Sequence, residues 1–218
     1  STIVNALCQD HVLRVYHCDD HWDQHVAHAT PAAQPRMCAL RTMTWDDIWM
    51  RNVSAQVSDE LALYLEQFPL ILSDLEPIPG AETVIVEGAA LLPELVATRI
   101  SDRHQAIWLV PTEAFQRCVY RSRGPWVGQI LAQCSDPEAA WEHWMARDAA
   151  FAQTVAQHAS ALGLELLWVD GRQTVEKVRL TVEAYPGREF TGSVLRLAPA
   201  VDVQTRTLVL EARVPNES

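Results

Sequence analysis

The chain has 218 residues, of which 49% are hydrophobic, and its net charge is −11 at pH 7. That length and composition suit one well-packed domain with a small appendage, and the negative charge disfavours binding to nucleic-acid phosphates. No apolar run approaches the roughly 20 residues that span a bilayer. No signal peptide opens the sequence, because the apolar stretch before Leu7 is short. We therefore expect a soluble cytoplasmic protein with no nucleic-acid partner and no membrane partner for residues 1–175.

The cysteines give a second compositional limit. Five of them lie at irregular spacing without a C-x-x-C pair. An odd number distributed in this way argues against a disulfide framework and against a zinc ribbon. We expect reduced and mostly buried thiols.

The first part of the chain has strand and helix patterns in succession. Ser1 to Leu7 have the pattern of a helix interior, since they are apolar from the third residue and show no start signal. Leu13 to His17 alternate as a strand, and Asp19 and Asp20 follow it. A helix is then predicted from Trp22 to Ala29.

A longer helical segment comes next. Thr44 to Leu75 are predicted to be helical with two starts, because Thr44 and Ser58 each precede acidic residues and have the character of N-caps. Within this segment, apolar side chains recur at spacings of three and four, which indicates a helix packed on a core. A third helical pattern runs from Glu138 to Leu162.

Three runs rich in β-branched and other apolar residues are typical of strands buried on both faces of a parallel sheet; they are Thr83 to Gly88, Ala106 to Pro111 and Leu164 to Gly171. Strands that alternate with helices predict βαβ units and an α/β fold with a mostly parallel sheet flanked by helices. In such sheets, ligands bind beyond the carboxyl ends of the strands. The residues expected at that edge are Asp19, Asp20, Glu87, Pro111 and Asp170.

The end of the chain has a different pattern. From about Val178, residues alternate with a period of two and are interrupted by Pro-Gly and Asp turns. This pattern predicts a small antiparallel β appendage over residues 176–218.

Several segments resemble, in order and spacing, elements of P-loop small-molecule and nucleotide kinases. They are Ser1-Thr-Ile-Val-Asn-Ala-Leu7, Tyr16-His-Cys-Asp-Asp20, Val84-Ile-Val-Glu-Gly-Ala-Ala-Leu-Leu-Pro93, Val110-Pro-Thr-Glu-Ala-Phe-Gln-Arg117 with Arg121-Ser-Arg123, and Trp168-Val-Asp-Gly171. The first is similar to the residues that come after Gly-Lys in the Walker A pattern G-x-x-x-x-G-K-[ST]. The resemblance implies a P-loop NTPase-like domain over residues 1–175 that lacks the first strand and the phosphate loop.

The same resemblance implies an ATP-dependent phosphotransferase that acts on a small metabolite or nucleoside, with ATP and Mg²⁺ as cofactors. The implied catalytic residues are Asp19, Glu87, Arg121 and Arg123. The implied cofactor-binding residues are Ser1, which would also bind Mg²⁺, with Thr2, Arg117, Asp170 and Gly171, and the implied substrate-binding residues are Asp20 and Gly88. Because the glycines and the lysine of the phosphate loop are absent, we expect little or no turnover from this chain.

The sequence leaves other interpretations of these side chains open. The two aspartates could cap the helix that begins at Trp22, and Glu87 could hold Mg²⁺ through water, orient the acceptor hydroxyl or pair with a base. The arginines could form a solvated helix face. Three histidines at spacings of four and three have metal-site geometry but lack an H-E-x-x-H companion, so an ordinary polar face is favoured; they are His21, His25 and His28.

The tail resembles a second family. Val182 to Asp202, with Thr205-Arg-Thr-Leu208 and Val214-Pro-Asn216, is similar to the β-barrel segment of efflux-pump periplasmic adaptors, the membrane fusion proteins. This resemblance implies a periplasmic location and an efflux assembly as partner, so a non-enzymatic adaptor fragment is an alternative function. A non-catalytic anion-binding module is a further alternative. Because kinases and adaptors occupy different compartments, we expect a chimeric chain with its junction between Gly171 and Val178.

Overall fold

The computed structural model describes residues 13–79, 83–122 and 124–171, together with the strand residues 179–180, 190–191, 193–197 and 210–213. The strands are β1 (Arg14–His17), β2 (Val84–Glu87), β3 (Ile107–Pro111), β4 (Glu165–Val169), β5 (Arg179–Leu180), β6 (Phe190–Thr191), β7 (Ser193–Leu197) and β8 (Leu210–Arg213). The α-helices are α1 (Trp22–His28), α2 (Pro35–Leu40), α3 (Trp45–Trp49), α4 (Val53–Leu75), α5 (Pro93–Val96), α6 (Glu113–Ser122), α7 (Pro125–Leu131) and α8 (Pro137–Ala161). Short 3₁₀ helices cover Cys18–His21 and Arg103–Gln105.

The β-branched runs form parallel strands, as predicted. β1 pairs with β2 in a register that places His17 opposite Glu87, and β3 pairs with β4 so that Pro111 is opposite Val169. Within the described residues, these are two separate two-stranded sheets. A single P-loop-like sheet therefore stays a prediction.

The predicted helices at Trp22 and Glu138 are confirmed as α1 and α8. The segment from Thr44 to Leu75 is predicted to have two helix starts, and it forms two helices, α3 and α4. Thr44 caps α3 as predicted, since its hydroxyl accepts from the Asp47 amide at 3.1 Å and the Asp47 carboxylate accepts from the Thr44 amide at 2.8 Å. The predicted cap at Ser58 is wrong: α4 begins earlier, where the Asn52 side chain accepts from the Ser54 amide at 2.8 Å and satisfies a free helical N–H.

Helices α4 and α8 cover the two strand pairs. Trp108 and Val110 of β3 pack in a cluster that includes Ala159 of α8, and Tyr16 of β1 packs in a second cluster with Ile71 of α4. Tyr64, also on α4, packs against both clusters. The two strand pairs are therefore held by the same helical layer.

Strand β3 is buried on one face only, whereas the sequence predicts burial on both faces. Trp108 and Val110 are buried, whereas the alternate residues Ile107 and Leu109 are 51% and 36% exposed. One face of β3 is thus open to solvent.

A separate aromatic core lies among helices α3, α7 and α8. Trp144 is buried and stacks on Trp49, with ring centroids 4.1 Å apart and planes 18° from parallel. Cys134 is buried in this cluster. The prediction of mostly buried thiols holds for Cys18 and Cys134 but not for Cys118, which is exposed.

The tail strands are antiparallel, as the two-residue alternation predicts. β5 pairs with β6, and β7 pairs with β8 with a register shift between Val194 and Arg196. The boundary at residue 175 and the junction before Val178 lie among residues outside the described set. In the described part of the chain, no helix is both long enough and apolar enough to cross a bilayer.

Candidate functional site

The carboxyl ends of β1 and β2 bring several ionisable groups together. Parallel register aligns His17 with Glu87, and the His17 Nδ1 atom lies 2.5 Å from Glu87 Oε1. Asp19 follows in the adjoining 3₁₀ helix. Burial, first, and then the nearby Asp19 and Glu87 carboxylates raise the pKa of the Cys18 thiol to about 12. Asp19 and Glu87, which the sequence places at one edge, therefore lie around the same buried cysteine.

Glu87 is an ionised, partnered carboxylate. Burial would raise its pKa, but the hydrogen bond with His17 is among the interactions that hold the pKa below its ordinary value. Of the interpretations left open by the sequence, pairing with a base is therefore present, and His17 is that base. The roles of Glu87 in metal binding or in orienting an acceptor stay predictions.

Gly88 allows the strand end to approach the 3₁₀ helix. Its φ of 150° is one that side-chain-bearing residues rarely adopt, and a Cβ atom here would lie 2.5 Å from Cys18 Cβ. Gly88 therefore has a structural reason to be glycine, independent of any substrate.

Asp19 and Asp20 are exposed on the 3₁₀ helix. The N-cap residue of α1 is His21, whose side chain makes no capping hydrogen bond. The alternative in which an aspartate is the N-cap residue of this helix is therefore wrong, because Asp19 and Asp20 lie within the 3₁₀ helix before His21.

A second cluster, not anticipated from the sequence, centres on Asp74 of α4. Its Oδ2 atom accepts from the Tyr16 hydroxyl at 2.6 Å, lies 3.0 Å from His25 Nε2, and lies 3.5 Å from His21 Nδ1. Tyr16 and His25 are both buried. The spacing of four between the histidines was the one available signal, but nothing local to Asp74 indicated its partners.

The Asp74 cluster perturbs both of its acidic members. Burial opposes ionisation of Asp74, but the hydrogen bonds from Tyr16 and His25 hold its pKa below the usual value. The pKa of Tyr16 is raised well above its usual value, first by burial and then by its hydrogen bond to Asp74. Asp74 is thus ionised, and Tyr16 is a fixed donor. No group of three or more His, Cys, Asp or Glu side chains in the described chain is arranged to hold a metal ion.

The carboxyl ends of β3 and β4 have a different character. Asp170 and Gly171 follow β4 and are exposed. Gly171 has a φ of 76°, and a Cβ atom there would meet the Phe115 ring at 2.5 Å. This turn is therefore shaped by packing of α6 against the strand end.

The predicted arginine cluster is described only in part. The Arg117 guanidinium lies 2.9 Å from Glu113 and 3.0 Å from Glu142. Arg121 lies near the end of α6, and its side chain is outside the described set. Ser1, Thr2 and Arg123 are also outside the described residues.

These observations test the fit of an ATP–Mg²⁺ complex. A triphosphate needs uncompensated positive charge and backbone amides, yet two carboxylates already bind Arg117. The charge of Arg117 is thus already compensated by protein carboxylates, and no phosphoryl-transfer step is derived from the described residues.

Comparison with known proteins finds one similarity, at the end of the chain. No curated protein and no solved structure matches the sequence. The P-loop kinase resemblance therefore stays a prediction. Residues 170–218 match the family described as CusB-like, beta-barrel domain, which confirms that the tail is similar to the barrel of this adaptor type.

Proposed function

We propose that residues 170–218 serve as part of the β-barrel of an adaptor in an efflux assembly, and thus take part in transmembrane transport. The match to the CusB-like β-barrel family carries this proposal. The antiparallel pairing of β5 with β6 and of β7 with β8 supports it, since antiparallel strands are the units of such barrels.

The irregularity in the β7–β8 pair gives further support. The register shifts between Val194 and Arg196. Bulges of this kind bend a strand and are frequent at the rims of barrels. In a barrel, the β7–β8 pair would join further strands on each side.

A graft tests the adaptor proposal. Residues 170–218 replace the matching segment of a CusB-like adaptor, and efflux is measured in cells that lack their own adaptor. We expect at least partial recovery of efflux, because the graft supplies compatible strands. The control graft carries a Gly-Ser linker in place of Ser193–Leu197. Recovery that is equal with and without β7, or no recovery from a folded and exported graft, contradicts the proposal.

A second candidate function applies to the α/β region: phosphotransfer to a small metabolite or nucleoside. One observation favours it, namely that Asp19 and the ionised Glu87 lie at the carboxyl ends of adjacent parallel strands. Ligands of parallel sheets bind at that edge, and phosphotransferases act mainly by positioning and electrostatics. Asp19 would orient the acceptor hydroxyl in this proposal.

Nucleotide binding tests the second candidate. A strand and a G-x-x-x-x-G-K segment are added before Ser1, and the melting temperature is measured with and without MgATP. We expect a MgATP-dependent rise for the extended protein and none for the present chain. The matched control replaces the added lysine with alanine. An extended protein without an ATP-dependent shift removes the kinase assignment, and a shift with inorganic phosphate alone favours an anion-binding module instead.

A further inference from the structure

We draw no further inference here: the strongest candidate, the solvent-exposed apolar face of β3 that carries Ile107 and Leu109, is a sheet face for which nothing in the part of the chain that the structure describes shows what covers it.

Discussion

The two parallel strand pairs share a topology but differ in the side chains that meet at their carboxyl ends. At β1–β2, side chains from distant parts of the chain interact, with His17 on Glu87 and Tyr16 on Asp74. At β3–β4, the interior face packs on α8, while Asp170 after β4 is exposed.

This difference shows why strand order alone does not locate chemistry. Parallel pairing brings residues to one edge in both cases, and at β1–β2 helix α4 supplies the Asp74 carboxylate that the Tyr16 hydroxyl binds. Asp74 of α4 accepts from Tyr16 and is paired with His25, and Glu87 of β2 is paired with His17, so both carboxylates contact side chains of β1 or of the residues after it. Ionised side chains therefore interact at the carboxyl ends of β1 and β2, whereas apolar packing and surface ion pairs are found at the carboxyl ends of β3 and β4.

The largest expected loss of stability comes from steric clashes, and it should differ between the ends of the two strand pairs. Gly88→Ala should destabilise the protein by roughly 3 kcal/mol, because both the positive φ and the rigid Cys18 Cβ atom oppose a side chain. Gly171→Ala should cost roughly 1–2 kcal/mol, since the Phe115 ring can move aside. Urea unfolding measures both variants.

Gly128→Ala is the control for these glycine variants, because it lies in α7 with nothing within 4 Å of the new Cβ atom. It should stabilise the protein by up to about 1 kcal/mol. Equal costs for Gly88→Ala and Gly171→Ala would remove the steric distinction between the two strand ends.

Removal of the Asp74 side chain should have the next largest effect. Asp74→Ala leaves the buried Tyr16 hydroxyl and the buried His25 ring without their acceptor, and we expect a loss of roughly 2–3 kcal/mol in the free energy of unfolding. The matched control is Asp20→Ala, an exposed aspartate at the same edge, which should change stability by less than about 0.5 kcal/mol. Similar values for the two variants would show that the Asp74 cluster adds nothing to the fold.

Acid should lower the free energy of unfolding, because it protonates the carboxylates of Asp74 and Glu87 near the carboxyl ends of β1 and β2. The folded-state pKa values of Asp74 and Glu87 lie below their ordinary values, so their contribution to stability is present above the unfolded-state pKa of about 4 and is lost as pH falls through the folded pKa. Urea unfolding at several pH values between about 6 and 3 should show this decline. In Asp74→Asn the decline should be shallower, and an unchanged slope would contradict the role of Asp74.

The smallest expected loss of stability is for Arg117, in the helix that follows β3. Arg117→Ala removes ion pairs with Glu113 and Glu142 on the protein surface. We expect a loss of less than about 1 kcal/mol, most of which disappears at about 1 M NaCl because exposed pairs are screened. A larger, salt-independent loss would mean that Arg117 stabilises the fold by packing, and the contrast between the edges would weaken.

Features that depend on neighbouring residues were predictable from the sequence. Thr44 caps α3 because the partner that it needs, Asp47, is three residues away. The helical pattern predicted from Glu138 to Leu162 agrees with α8 to within one residue at each end. The error at Ser58 has the same origin: two possible caps lie in one helical segment, and the sequence does not show that Asn52 already satisfies the first amides of α4.

The parallel strands, the helices α1 and α8, the antiparallel tail and its likeness to an adaptor barrel were predictable from the sequence, because β-branched runs, helical periodicity and two-residue alternation act over a few residues. Which ionisable groups meet depends instead on the tertiary structure. His17 lies 70 residues from Glu87 and Tyr16 lies 58 residues from Asp74, and such pairs depend on how strands align and on which helix face covers them. Local propensity carries no information about either.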